Sequence, residues 1–163
     1  MSDTSMLAAK VLRTLEKKGL KLATAESCTG GMVSAALTDL AGASNVFERG
    51  FVTYSNEAKM ELLDVSEETL SQHGAVSAET AREMAEGALR HSRADMAVSI
   101  TGIAGPGGGS AEKPVGLVWF GLAVKGKEPR AEKRIFLAGE RAIVRRDSVA
   151  TALSLVLEAA SKA

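Results

Sequence analysis

The stretch Leu20-Lys21-Leu22-Ala23-Thr24-Ala25-Glu26-Ser27-Cys28-Thr29-Gly30-Gly31-Met32-Val33 decides how the rest of the chain is read, because its periodicity changes part way along. Residues 20–25 read as a short strand. From Cys28 the spacing turns helical, through Met32, Val33, Ala36, Leu37 and Leu40, which predicts a helix over 28–40. A strand that runs straight into a helix is the unit from which layered α/β proteins are built.

The same alternation continues on both sides. Upstream, Leu7, Val11, Leu12 and Leu15 fall on one helical face, and Lys17-Lys18 followed by Gly19 is favourable chemistry for a helix end. Downstream, 47–54 is rich in β-formers and 56–63 reads as a short helix capped by Ser55 or Asn56. Ser66-Glu67-Glu68-Thr69 opens another short helix, and Ser77-Ala78-Glu79-Thr80 opens a longer one reaching about His91. Residues 94–101 are a second buried strand. A glycine-rich loop follows over 102–110. Residues 115–124 and 132–137 read as an antiparallel hairpin around Lys125-Gly126-Lys127, and 141–160 as a long last helix. The expectation is a three-layer α/β/α sandwich with a mixed, mostly parallel sheet, formed by residues 1–163 as a single domain.

Composition narrows the function. The chain has 163 residues, 45% of them hydrophobic, with 20 Lys+Arg balanced by 20 Asp+Glu. A net charge of +0 removes the long-range field on which non-specific nucleic-acid or anionic-membrane binding relies. Aromatics at 4% argue against stacking platforms for single strands. No apolar run approaches the ~20 residues of a membrane span, and the first residues lack the pattern of a secretory signal, so a cytoplasmic protein is expected. Cys28 has no partner within the chain, as in a reducing compartment. No His/Cys/Asp/Glu set has metal-ligand spacing, and neither a metal nor another cofactor is expected.

In open α/β sheets ligands gather at the carboxyl ends of the strands, and two of these ends carry unusual sequence. At the first, Ser27 is followed by the N–H groups of Cys28, Thr29, Gly30 and Gly31 at the start of the predicted helix, which suits an oxyanion or a phosphate. The same residues also fit a simple N-cap with glycines that permit close packing. At the second, the glycines of 102–109 allow close approach to the main chain but lack the spacing of a nucleotide-phosphate loop. Tyr54, the single tyrosine, and Lys59 bracket a third strand end, and a lysine amine is an attested base for a serine nucleophile. His73 and His91 offer no obvious triad. Arg141 and Arg145 share a face of the last helix near its start, where cations oppose the dipole; they either hold an anion or pair with Glu140 or Asp147.

Read together, 24–31 (TAESCTGG), 51–59 (FVTYSNEAK), 73–77 (HGAVS) and 101–108 (TGIAGPGG) resemble the CinA C-terminal family, the nicotinamide-nucleotide amidohydrolases. The resemblance spans nearly the whole chain and is to the stand-alone form. It implies hydrolysis of the carboxamide of nicotinamide mononucleotide to nicotinate mononucleotide and ammonia, in pyridine nucleotide recycling. Carried over by motif, Ser27 is the nucleophile, Lys59 the base and Tyr54 the assisting residue. Cys28, Thr29, Gly30, Gly31, Thr101 and Gly102 fall in the substrate pocket, and Arg141 or Arg145 falls near the phosphate. Gly107 and Gly109 make the second loop richer in glycine than the motif. The implied partner is a small-molecule nucleotide, with no nucleic acid and no membrane; apolar residues on helix faces leave room for a homodimer. The alternative is a non-catalytic nucleotide-binding or competence- and DNA-damage-related regulatory module.

Overall fold

Strand β1 (Leu22–Glu26) is buried along its whole length, as befits the middle of a sheet covered on both faces. In the computed structural model, which describes residues 2–137 and 140–163, it lies between β2 (Phe47–Val52) and β3 (Met96–Gly102) and is parallel to both. β4 (Leu117–Val124) pairs antiparallel with β3, and β5 (Arg130–Ile135) antiparallel with β4. The order is β2-β1-β3-β4-β5, and only β4 opposes the common strand direction.

The helices form two layers. α1 (Asp3–Lys18), α2 (Met32–Thr38) and α6 (Arg141–Ser161) cover one face, where Val11, Leu15, Leu37, Leu153 and Val156 meet Met96, Val98 and Phe120. α3 (Asn56–Leu63), α4 (Glu67–His73) and α5 (Ala78–Arg90) lie on the other, where Leu63, Met84 and Ala88 pack on Ala23, Ala25 and Ala97. The architecture is the expected three-layer sandwich. Most caps are also those expected: Ser55, Ser66 and Ser77 each accept from the N–H three residues on.

One boundary differs in a way that changes the site. The helix expected from Cys28 begins only at Met32, because Gly30 (φ 58°) and Gly31 (φ 106°) are left-handed and the backbone cannot be helical through them. Ser27 therefore does not cap α2. A second glycine, Gly87 of α5, faces the main chain of Leu63, and a Cβ there would collide with the Leu63 carbonyl. This close approach seats α3, and with it Lys59, against α5.

Candidate active site

The register of the three parallel strands brings their carboxyl ends level, with Glu26 opposite both Val52 and Ile100. The chain leaves β1 through Ser27, whose N–H still donates to the Ile100 carbonyl at 3.0 Å. It leaves β2 through Thr53, whose N–H donates to the Glu26 carbonyl at 2.9 Å. α3 then turns back over these ends and delivers Lys59, of which 1% is exposed. Its Nζ lies 3.0 Å from Ser27 Oγ, 2.9 Å from the Thr53 carbonyl and 3.3 Å from the Tyr54 carbonyl. Burial pushes the Lys59 ammonium below its ordinary value, and no salt bridge to it is present among the described residues.

A cavity of about 290 Å³ opens on this pair, close to the ~300 Å³ at the small end of ligand sites. Ser27, Cys28, Thr101, Gly102, Gly105 and Arg141 contribute to its wall, with apolar surface from Val76 and Ile103. Among the described residues no carboxylate lines it, whereas the Arg141 guanidinium does, so the cavity favours a ligand bearing negative charge. Gly107 and Gly108 of the glycine-rich loop also line it, and Arg141 ties the loop down by donating to the Gly105 carbonyl at 2.9 Å.

Among the residues singled out in the sequence, Ser27, Lys59, Tyr54, Cys28, Thr101, Gly102 and Arg141 come together around the cavity. Thr29, Gly30, Gly31 and Arg145 do not line it. The Tyr54 hydroxyl takes a different place from the proton-sharing one expected: it accepts from Arg141 at 3.1 Å, while the tyrosine's carbonyl is what meets Lys59. Arg145 turns its guanidinium onto the main chain, donating to the carbonyls of Cys28 (3.0 Å) and Thr29 (3.4 Å). Neither arginine pairs with Glu140 or Asp147 among the described residues. The Cys28 thiol is buried and pushed up to about 11 by that burial, the state of an inert cysteine. His91 binds Asp64 at 2.6 Å on the surface, and His73 lies beside Glu79; neither lines the cavity.

Glu26 is the residue that sequence reasoning missed. It is 1% exposed and its carboxylate collects four donors. Oε1 accepts from Thr29 Oγ1 (2.6 Å) and the Val33 N–H (2.9 Å); Oε2 accepts from the Ser34 N–H (3.1 Å) and Ser34 Oγ (3.0 Å). The N-terminus of α2 is thereby satisfied from inside the protein rather than left for a ligand. The available signal was a lone acid closing an otherwise buried strand one turn before a helix.

Comparison with known proteins gives this arrangement a lineage. The family model described as the CinA C-terminal domain matches residues 4–160. The nicotinamide-nucleotide amidohydrolase PncC of Escherichia coli K12 is 55% identical over 152 residues, covering 93% of this chain and 92% of that protein. The protein of the same name from Enterobacter agglomerans is 52% identical over 151 residues, with 93% and 92% covered. Among solved structures, the competence/damage inducible protein CihA from Agrobacterium tumefaciens superposes with a TM-score of 0.94 at 47% identity, covering 97% of this chain and 96% of that one. With matches that run almost end to end on both sides, the chain belongs to the CinA C-terminal domain family.

Proposed function

We propose that the chain is an amidohydrolase that converts the carboxamide of nicotinamide mononucleotide to the carboxylate and releases ammonia, a step in pyridine nucleotide recycling. The observation that carries this reading is the buried Lys59 amine beside the Ser27 hydroxyl. A neutral amine has two N–H donors and one lone pair. The carbonyls of Thr53 and Tyr54 take the two donors, which leaves the lone pair for the third neighbour, the Ser27 hydroxyl. Burial without a counter-charge favours that neutral form. The names of the relatives supply the substrate class, and a cavity walled by Arg141 and free of lining carboxylates suits a phosphate-bearing one.

In the reaction, Ser27 Oγ bonds to the amide carbon as its proton passes to Lys59 Nζ. The tetrahedral intermediate collapses as Lys59 returns that proton to the departing nitrogen, so ammonia leaves and an ester to Ser27 remains. Water then attacks the ester with Lys59 again as base, giving the carboxylate and free Ser27. N–H groups of the turn after Ser27 receive the oxyanion, at ~2.7–4 kcal/mol for a lost donor in comparable sites. Tyr54 and Arg141 hold one another and form the part of the wall suited to the phosphate.

The test is release of ammonia from nicotinamide mononucleotide by parent, Ser27→Ala and Lys59→Met proteins, each shown to be folded by circular dichroism. Loss of at least ~10³-fold in both variants is expected for groups that act as a unit. Parent-like rates in either one overturn the mechanism.

A further inference from the structure

Arg145 is the charged group beside the site to which the chemistry above gives no task. It is the fifth residue of α6, where a cation opposes the helix dipole, and it is half-buried. Among the described residues it has no carboxylate partner, and it does not line the cavity. Its partners are two consecutive main-chain carbonyls, those of Cys28 and Thr29, in the turn that follows Ser27.

A trans peptide sends its C=O and N–H in opposite directions. With the Cys28 carbonyl drawn onto Arg145, the Thr29 N–H of the same peptide faces away from the arginine. Two other donors nearby are committed, the Gly30 N–H to the Ser27 carbonyl and the Met32 N–H to the Thr29 carbonyl, each at 3.0 Å. Among the described residues the N–H groups of Cys28, Thr29 and Gly31 have no acceptor, and of these Cys28 and Thr29 flank the peptide that Arg145 holds. Glu26 fixes the same turn from its other side through Thr29 Oγ1. The turn is thus clamped between a carboxylate that takes its hydroxyl and a guanidinium that takes its carbonyls, with the N–H groups of Cys28 and Thr29 left unspent beside Ser27.

We propose that Arg145 is a positioning residue, which orients the Cys28–Thr29 peptide so that the N–H groups of Cys28 and Thr29 receive the oxyanion formed at Ser27, and that it is not a phosphate ligand. The inference rests on the reading of Ser27 as nucleophile. Polarisation of the carbonyl by the guanidinium also strengthens the N–H of the same peptide as a donor.

Parent, Arg145→Met, Arg145→Lys and Arg141→Met are compared on nicotinamide mononucleotide and on nicotinamide riboside, which lacks the phosphate. Arg145→Met is expected to lower kcat by about 10²-fold on both substrates, the scale of a misplaced oxyanion donor. KM for the nucleotide and the ratio of kcat/KM between the two substrates stay near the parent's. Arg145→Lys restores part of kcat, because an ammonium still reaches one carbonyl. Arg141→Met instead collapses the ratio. A rise in KM and a fall in the ratio for Arg145→Met would overturn the proposal. A second readout needs no amide: diisopropyl fluorophosphate phosphorylates an activated serine, the Ser27 O–P bond forming as fluoride leaves and Lys59 takes the proton, followed by intact mass. Arg145→Met should label at least about 10-fold more slowly; labelling at the parent's rate, or no labelling of the parent, refutes it. Should the parent label yet release no ammonia from either amide, the substrate reading fails while the labelling ratio still decides the role of Arg145.

Discussion

Replacing Glu26 by Gln tests the geometry beneath the site with little change in volume. Each carboxylate oxygen accepts one main-chain N–H, Oε1 from Val33 and Oε2 from Ser34. A glutamine must therefore aim its NH2 at one of these N–H groups, whichever way the amide is turned. The hydroxyls of Thr29 and Ser34 can rotate to accept from that NH2, but a main-chain N–H cannot reverse. One buried N–H is left unpaired, at ~1–3 kcal/mol, and the surviving bonds fall from the ~1.5–3 kcal/mol of charged acceptors toward ~1 kcal/mol. Removing a buried charge offsets part of this loss. The net expectation is ~2–4 kcal/mol of destabilisation. Urea unfolding at pH 7 reads it as a lower midpoint at unchanged slope. Ammonia release should also fall in protein still folded, because the Ser27–Gly31 turn loses its anchor. A loss below about 1 kcal/mol would refute the hydrogen-bond accounting, since both amide orientations carry the same clash.

Lys59 gives a signed pH dependence. Its folded value lies below the ordinary 10.5, so the unfolded chain binds more protons between the two values and this group's contribution to stability rises with pH across that window. Lys59→Met should therefore unfold at a temperature no lower than the parent's near pH 7, with its advantage shrinking toward pH 10; calorimetry across pH checks this, and an advantage that grows contradicts it. The rate of amide hydrolysis should climb with pH as Lys59 loses its proton. Cys28, with its thiol near 11, should resist iodoacetamide at pH 8 in the folded protein and react once urea is added, as mass spectrometry would report. Gly87→Ala gains helix propensity of ~1 kcal/mol yet should destabilise by more, because the new Cβ meets the Leu63 carbonyl. It should also slow ammonia release by shifting α3 and Lys59.

The layers were legible because apolar periodicity switches cleanly between 2 and 3.6, as where Ala94–Thr101 gives way to glycine or Ser77 opens α5. The start of α2 was not. The helical spacing of Met32, Val33 and Ala36 runs smoothly backward over Gly30-Gly31, and only the left-handed backbone of those glycines stops it. The meeting of Ser27 and Lys59, 32 positions apart, depends on β2 lying beside β1, a pairing that motif resemblance reaches and composition does not. The two arginines show the limit of face reasoning. Residues four apart share a helix face but differ by ~6 Å along its axis. That rise is enough for Arg141 to line the cavity while Arg145 grips the main chain beside it.

Glu26 and Lys59 are both almost wholly buried and both neighbours of Ser27, yet they solve burial in opposite ways. Glu26 is surrounded by donors only, four of them, so both of its oxygens are satisfied. Lys59 meets two carbonyls and one hydroxyl, neutral partners that saturate an amine but do not repay the desolvation of an ammonium. Had the acid at position 26 turned toward Lys59, the pair would have bonded as ions and the lysine would hold its proton at neutral pH, unable to accept one from serine. Thr29, Ser34 and the first N–H groups of α2 draw the carboxylate to the other side of the strand end. The delayed start of that helix, forced by two glycines, is therefore part of what leaves Lys59 without a counter-ion, as its proposed role requires.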